Sequence, residues 1–385
     1  MSSKSKPLIQ IIAPISPYKK FGGGIVTYVS NIVKQLGQEI NFRLIGANFE
    51  NDENTRCKLH DLDFLSVANI KLKYINNKSS VLFAFGIYKN RSEIDKNKSI
   101  FHVQRIDSAL PLLYPARINN PVIVHIHGSN IYWDYFHKSF LFKKLVRFVE
   151  HLVIKRTDKV IMVSKKGLKE YHKLYPKYKD KIIYIPNGID VNNFYPITNK
   201  NQIKWDFNIP KETKVILYTG RFAEEKGIDL LLKSFEIINE SEINFIFLFI
   251  GSGPLKSRID IFANKYKNIK IIPSLPNDEM PRIYNIADVL VMASYFEGWS
   301  NTFGEALACG VPVVTTNVGD AEEIIQIGKN GYILYDRDPY NFADKCILAI
   351  NHCDEMQKYA RDSVIPYSLD NIASKLKKVY YCLLQ

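Results

Sequence analysis

Residues 215–239 read VILYTGRFAEEKGIDLLLKSFEIIN. A short apolar run rich in Ile and Val ends at Gly220, a charged loop with a second glycine at Gly227 follows, and a helical pattern carries on to about residue 239. A strand, a glycine-containing loop and a helix in that order form the repeating unit of a parallel sheet whose faces are covered by helices. The same rhythm runs outward in both directions. In the second half the strands are expected at 215–220, 244–251, 269–273, 289–293 and 312–316, with helices at about 227–239, 254–266, 278–286, 302–309, 340–350 and 370–383. In the first half they are expected at 8–14, 42–47, 99–104, 121–128, 159–164 and 181–186, with helices notably at 25–36, 136–155 and 165–174. Near-continuous apolar strands of this kind belong to sheets buried on both faces.

Between the halves the rhythm breaks. Residues 187–212 are rich in Asn and low in apolar content, with Pro196 and Pro210 in the stretch. The expected organisation is a domain over 1–190, a linker over 191–212, a second domain over 213–365 and a closing helix over 366–385 that returns to the first domain. The fold class is α/β: two Rossmann-like, doubly wound domains facing each other. Ligands are expected where the C-terminal ends of the strands of both domains meet, in the cleft between them.

Composition narrows the function classes. The chain has 385 residues, 46% of them hydrophobic, which suits a globular protein of two domains. No apolar run reaches the roughly 18 residues of a membrane-spanning helix. The opening MSSKSKPLIQIIAP has no long apolar stretch or small-residue cleavage site, so no signal peptide is expected. Five cysteines without a C-x-x-C pair point to a reducing compartment and away from a structural metal site. The expected location is the cytoplasm. The net charge of +13 is one-sided: residues 1–195 carry 31 Lys and Arg against 15 Asp and Glu, a net +16, and the remainder stands at −3. A basic field of this kind attracts phosphates, whether of lipid headgroups, nucleotides or nucleic acid, although a merely soluble Lys-rich surface has the same composition. No nucleic-acid-binding motif or aromatic interleaving accompanies the charge, so no nucleic-acid partner is expected.

The candidate chemistry lies in loops that follow strands. Arg221 and Lys226 sit in the loop quoted above, where two fixed cations would clamp a diphosphate; a solvated pair among Glu224 and Glu225 is the plain alternative. Gly22-Gly23-Gly24 opens a helix after the first strand, which suits either close approach to a phosphate or a tight turn. His125 and His127 alternate along one strand and so share a face. Of the two, His127, at the strand end, is the site candidate and His125 the structural one. The stretch FEGWSNTFGEALACG (296–310) places Glu297 and Glu305 eight positions apart, with Gly298, Trp299, Ser300 and Asn301 between them. Thr302-Phe-Gly-Glu305 also fits a capping box, which would spend Glu305 on the helix terminus. Two carboxylates beside a two-cation loop suit a ligand with a diphosphate and several hydroxyls, a sugar nucleotide.

In order along the chain, GGGIVTYV, VHIHGS, VIMVSKKGLKE, IPNGID, TGRFAEEKGIDLLL, FIGSGPLKSRI, EGWSNTFGEALACGVPVV and GKNGYILYDRDP resemble the motifs of the GT-B-fold, family 4 retaining glycosyltransferases (group 1), nearly end to end. The resemblance implies that Glu305 takes the ribose hydroxyls, that Glu297 sits at the donor sugar, and that Gly298, Trp299, Ser300 and Asn301 line the donor. It implies further that Arg221 and Lys226 clamp the pyrophosphate, that His127 lies near the reacting centre, and that Gly23 and Gly24 close on the phosphates or frame the acceptor. It implies no cofactor beyond the nucleotide-sugar co-substrate and no bound metal. Departures are Ile271-Ile272-Pro273-Ser274 where relatives often read F-L-G, which bears on the base because Pro273 has no N–H, and Asp320, read as a helix cap or a sugar contact.

The implied reaction is transfer of a hexose or N-acetylhexosamine, with retention, from a UDP-sugar to a saccharide hydroxyl. The acceptor is expected to be lipid-linked, in assembly of a bacterial-type surface polysaccharide such as lipopolysaccharide O-antigen or capsule. The alternatives are a GDP-mannose-dependent mannosyltransferase and a GT-B-fold sugar-nucleotide epimerase. The helix expected over 138–156 mixes Phe140, Phe142, Leu145, Phe148 and Val149 with Lys138, Lys143, Lys144, Arg147 and Arg156. It suits a core helix with a wet basic face or, given the basic first half, one lying on an anionic membrane at the cytoplasmic face of the inner membrane.

Overall fold

The structure, a computed structural model, describes residues 6–16, 23–49, 62–70, 77–95, 97–128 and 139–385. Gly22, Cys57 and Lys138 lie outside the described residues, as does the Phe142 side chain. The chain divides into two compact units, residues 1–188 with 369–385, and residues 189–368.

Among its described residues the first unit is built on seven strands: β1 (Leu8–Ile12), β2 (Asn41–Phe49), β3 (Asp63–Ile70), β4 (Ile100–Val103), β5 (Val122–Ile126), β6 (Lys159–Met162) and β7 (Ile182–Tyr184). They run parallel in the order β3-β2-β1-β4-β5-β6-β7, which reverses direction between β1 and β4 as doubly wound sheets do. Alternation along each strand feeds two cores. Ile9, Ile11, Ile123 and Ile161 meet the helices Gly24–Leu36 and Leu369–Leu384 on one face. Ile12, Val122, Val124 and Val160 meet Asn77–Lys89, Ile106–Leu113, Phe140–Arg156 and Lys165–Leu174 on the other. The helix Leu369–Leu384 joins this unit through Leu369, Ile372, Ala373, Leu376 and Tyr380, a stripe at helical spacing that is buried along its length.

The second unit holds six parallel strands: β8 (Lys214–Thr219), β9 (Phe245–Ile250), β10 (Ile269–Ile272), β11 (Val289–Met292), β12 (Val313–Thr316) and β13 (Gly331–Leu334). Their order is β10-β9-β8-β11-β12-β13, so the switch point lies between β8 and β11. Tyr218, Phe235, Phe247, Phe249, Val291 and Phe342 centre its core.

The divide between units falls at residues 188 and 189, and again at 368 and 369, rather than across 191–212. That Asn-rich stretch belongs to the second unit. Asn199 caps a helix, Lys200–Asp206, by accepting from the Gln202 N–H. Ile203 is buried, and the Lys204 ammonium donates to the carbonyls of Lys211 and Thr213. Polar composition there reflects capping and backbone satisfaction rather than a free linker.

Candidate functional site

The switch point of the second unit brings two of the expected residues together. The loop after β8 runs through Arg221 to a 3₁₀ turn, Glu224–Lys226, and the loop after β11 runs through Ser294 to Glu297. Both leave the C-terminal ends of neighbouring parallel strands. The Lys226 ammonium lies 2.6 Å from Glu297 Oε1, and the Ser294 hydroxyl donates to the same oxygen at 2.7 Å. Both charged side chains are only partly exposed, so the pair is screened less than a surface ion pair.

Further contacts hold this arrangement. The Tyr295 N–H donates to the Glu225 carbonyl at 2.9 Å, tying one loop to the other. Gly227 has φ +65°, and a Cβ there would lie 1.9 Å from the Ala293 carbonyl oxygen, so glycine is required by conformation and by space together. Arg337, in the loop after β13, donates to the Ala293 carbonyl at 2.8 Å and stacks 3.5 Å over the Tyr295 ring. The last residue of β12 adds a bond from the Thr316 hydroxyl to the Ser294 carbonyl, 2.6 Å. Burial, with the Glu297 and Glu225 charges, holds the Tyr218 phenol well above its ordinary range.

Arg221 shares the loop with Lys226, but its side chain is 66% exposed and its guanidinium lies 3.8 Å from Glu225 Oε1. The two cations are thus each matched to a different carboxylate.

Glu305 does not close a capping box. The helix spans Asn301–Ala308 and is capped by Ser300, whose hydroxyl accepts from the Phe303 N–H. Glu305 therefore stands a turn further in, and its Oε2 accepts from the buried Tyr284 hydroxyl at 2.9 Å. Burial raises its carboxyl pKa to about 7, partly offset by the Tyr284 hydrogen bond. Ser300 spends its hydroxyl on the cap. Trp299 is buried against Tyr367, with ring centroids 5.0 Å apart, and its indole N–H has no hydrogen-bond partner. The Gly298 carbonyl lies against Gly319, where a Cβ would approach it to 2.7 Å. Asp320 occupies the N-cap position of a short turn, Ala321–Ile324, yet its side chain makes no cap hydrogen bond, so the capping expectation fails.

In the first unit His127 follows β5 directly. Its Nε2 donates to Gln104 Oε1 at 2.8 Å, which fixes the tautomer and leaves Nδ1 as the acceptor. Its ring stacks on His125 at 4.4 Å, and the Tyr28 ring meets its edge. His125 is paired inward with His102 (3.1 Å), and His102 with the Tyr380 hydroxyl (2.7 Å). Burial lowers the pKa of His127 to about 4, and burial with the neighbouring His127 lowers that of His102 to about 3, so both rings are neutral at physiological pH. Gly23 and Gly24 start the helix Gly24–Leu36; Gly23 has a φ of −73°, and a Cβ at either position would meet no atom within 4 Å. Internal packing does not require glycine at either position.

Gln104, Ser294, Arg337 and Tyr284 were not singled out from sequence. Gln104 and Ser294 end or follow apolar runs read as strands, and that position is the signal that could have found them. Among the described residues no cluster of three or more His, Cys, Asp and Glu could hold a metal ion, and no helix is long and apolar enough to cross a membrane.

Two family models match the chain in tandem: Glycosyltransferase Family 4 over residues 22–193 and Glycosyl transferases group 1 over 199–363. The alpha-monoglucosyldiacylglycerol synthase of Acholeplasma laidlawii is 27% identical, over 94% of each chain. Among solved structures, sucrose-phosphate synthase from Thermosynechococcus elongatus superposes with a TM-score of 0.81 at 19% identity, covering 98% of this chain and 99% of that one. HepE of Anabaena, solved with UDP-glucose, gives 0.75 at 14% identity, covering 97% and 99%.

Proposed function

The chain belongs to the group 1, family 4 glycosyltransferases of GT-B fold, and from that premise we propose that it transfers a hexose or N-acetylhexosamine, with retention, from a UDP-sugar to a saccharide hydroxyl. The observation that carries the reading is the Lys226–Glu297–Ser294 cluster at the β8/β11 switch point, one loop away from Glu305. A diphosphate arriving there offers Lys226 a stronger anionic partner than one carboxylate, and releases Glu297 to accept from sugar hydroxyls. Arg221, exposed in the same loop, completes the clamp. Glu305 takes the two ribose hydroxyls, and the backbone of Gly298 to Asn301 lines the sugar.

In the reaction the anomeric C1–O bond breaks with its electron pair going to the diphosphate, whose growing charge Lys226 and Arg221 stabilise. The acceptor oxygen forms the new bond on the same face, and its proton passes to the departing phosphate oxygen. Glu297 orients the donor and supports positive charge at C1. On the first unit the neutral His127 is assigned a hydrogen bond to the sugar through Nδ1, and Gly23 and Gly24 a close approach to phosphate.

UDP is favoured as the nucleotide because HepE, of like fold, is solved with UDP-glucose. A lipid-linked acceptor is favoured by the +16 charge of residues 1–195 and by the likeness to a synthase named for a diacylglycerol product. The setting would be surface-glycan assembly at the cytoplasmic leaflet. A thermal-shift screen with UDP, GDP and ADP and their sugars tests the donor: UDP-sugars raise the melting temperature, and binding by none of them sinks the reading. Lys226→Ala and Glu297→Gln are each expected to cut transfer by about 10²-fold or more with the fold retained, as loss of a charge aimed at the reacting groups does. Rates near wild type for either variant would remove that residue from the site.

A further inference from the structure

The helix Phe140–Arg156 is apolar on two opposite sides. One side is buried: Val153 and Ile154 join the core against the sheet. The other presents Leu141, Leu145 and Phe148 at helical spacing, and Leu141 is 78% exposed and Phe148 59%. The helix Asn77–Lys89 repeats the arrangement: Phe83 and Ile87 are buried, while Val81, Phe85 and Tyr88 point the other way, with Val81 69% and Phe85 64% exposed. Both helices pack on the same intervening helix, Ile106–Leu113, on one face of the first unit's sheet. Hydrogen bonds at the ends of that helix, Arg105 to the Ser80 hydroxyl (2.8 Å) and the Tyr114 hydroxyl to the Leu152 carbonyl (3.2 Å), fix it to both neighbours. Two rows of large apolar side chains therefore emerge from one layer. Singly scattered apolar groups are ordinary on a soluble surface; paired rows are not.

The unpaired charge that the two helices carry outward is positive, and the one acid between them, Asp107, is paired with Arg105. Lys89, Lys144 and Lys155 are exposed, and the Lys144 ammonium lies 4.5 Å over the Phe140 ring. The one acid on either helix, Glu150, is turned inward, where the Tyr171 and Tyr175 hydroxyls donate to it at 2.8 and 3.0 Å. A second copy of this face would set lysine against lysine, whereas a bilayer with anionic headgroups satisfies the apolar rows and the lysines together, the long stems reaching past the apolar side chains to the headgroups.

We propose that this two-helix face docks the protein on an anionic lipid bilayer, Val81, Phe85, Leu141, Leu145 and Phe148 entering the headgroup–acyl boundary and Lys89 and Lys144 meeting lipid phosphates. The proposal rests on the membrane-surface part of the function proposed above and is independent of the donor pocket.

Co-sedimentation of the full chain with phosphatidylcholine vesicles, with and without phosphatidylglycerol, tests it without any donor present. The wild type is expected to sediment with the anionic vesicles and much less with the neutral ones. Phe85→Ser and the pair Leu141→Ser with Phe148→Ser should each weaken binding about tenfold or more, as removal of inserted apolar side chains does. Lys89→Glu with Lys144→Glu should weaken binding on anionic vesicles alone. Unchanged melting temperatures confirm that these exposed substitutions leave the fold intact. The proposal is overturned if the wild type stays in the supernatant with anionic vesicles, or if the apolar variants bind as it does. A concentration-dependent dimer lost in Leu141→Ser/Phe148→Ser, without vesicle binding, would assign the face to a second copy instead. Vesicle binding by a chain that binds no nucleotide sugar would keep this proposal and sink the donor reading; the converse would do the opposite.

Discussion

Glu305 carries a carboxyl group whose burial favours the uncharged form up to about pH 7. Its effect on the fold and its assigned role pull in opposite directions. Because the folded value lies above the ordinary carboxylate value, the stabilising contribution is complete below about pH 4.5 and is lost as pH rises through about 7. Ribose hydroxyls, by contrast, donate best to the ionised form. Donor kcat/KM is therefore expected to rise with pH to a plateau above about 7, and Glu305→Gln should lower the plateau and flatten that limb. An unchanged pH profile in the variant would detach Glu305 from the donor. Lys226 and Glu297 show the related economy of two opposite charges stored against each other, each assigned to a different part of the same ligand.

At the scale of elements, the site depends on loops pressed together by residues that touch no ligand in the proposed reaction. Arg337 fixes the Ala293–Tyr295 segment from above, and Gly227 lets the neighbouring turn close against it. Arg337→Ala is expected to lower kcat by about tenfold or more with little change in KM for the acceptor, since it acts by aiming Glu297; steady-state kinetics measure the split. Gly227→Ala should destabilise the protein by at least about 2 kcal/mol, read by denaturant unfolding, because it combines a left-handed backbone with a carbonyl clash. Much of this scale was legible. Eleven of the thirteen strands among the described residues stood out as apolar runs, and the E-x7-E spacing marked Glu297 and Glu305. β3 (DFLSVANI), at the sheet edge, escaped because Asp63, Ser66 and Asn69 interrupt its apolar run, and β13 because it is four residues long and opens on Gly331. The helix Ile106–Leu113 was hidden by Pro111, and Cys353–Val364 by the narrowness of its buried stripe, Cys353, Met356, Ala360 and Val364, in an otherwise mostly polar segment. The site's supports were unreadable for a different reason. Lys226 and Glu297 are 71 positions apart, and Arg337 lies 43 beyond Ser294, so only the strand order joins them.

For the molecule as a whole, the two units answer acid in opposite senses. His102 and His127 keep their neutral forms in the fold, with values pushed down to about 3 and 4 from 6.5. A depressed histidine contributes stability that is present above about pH 6.5 and lost as pH falls toward the folded value. The first unit is therefore expected to lose several kcal/mol, a large share of the ~5–15 kcal/mol by which a domain is typically stable, between about pH 6.5 and 4, while the contribution of Glu305 to the second unit grows over the upper part of that range. Acid titration followed by circular dichroism, with His102→Gln as the comparison, should show the first unit's transition move to lower pH in the variant if the ring's protonation drives it. The path of the chain has a consequence for its synthesis. The second unit is one continuous segment, but the first is interrupted: one face of its sheet waits for Leu369, Ile372, Leu376 and Tyr380. As the ribosome releases the chain, the unit begun first is the one completed last, and Ile9, Ile11 and their neighbours lack part of their cover until the whole intervening unit has emerged.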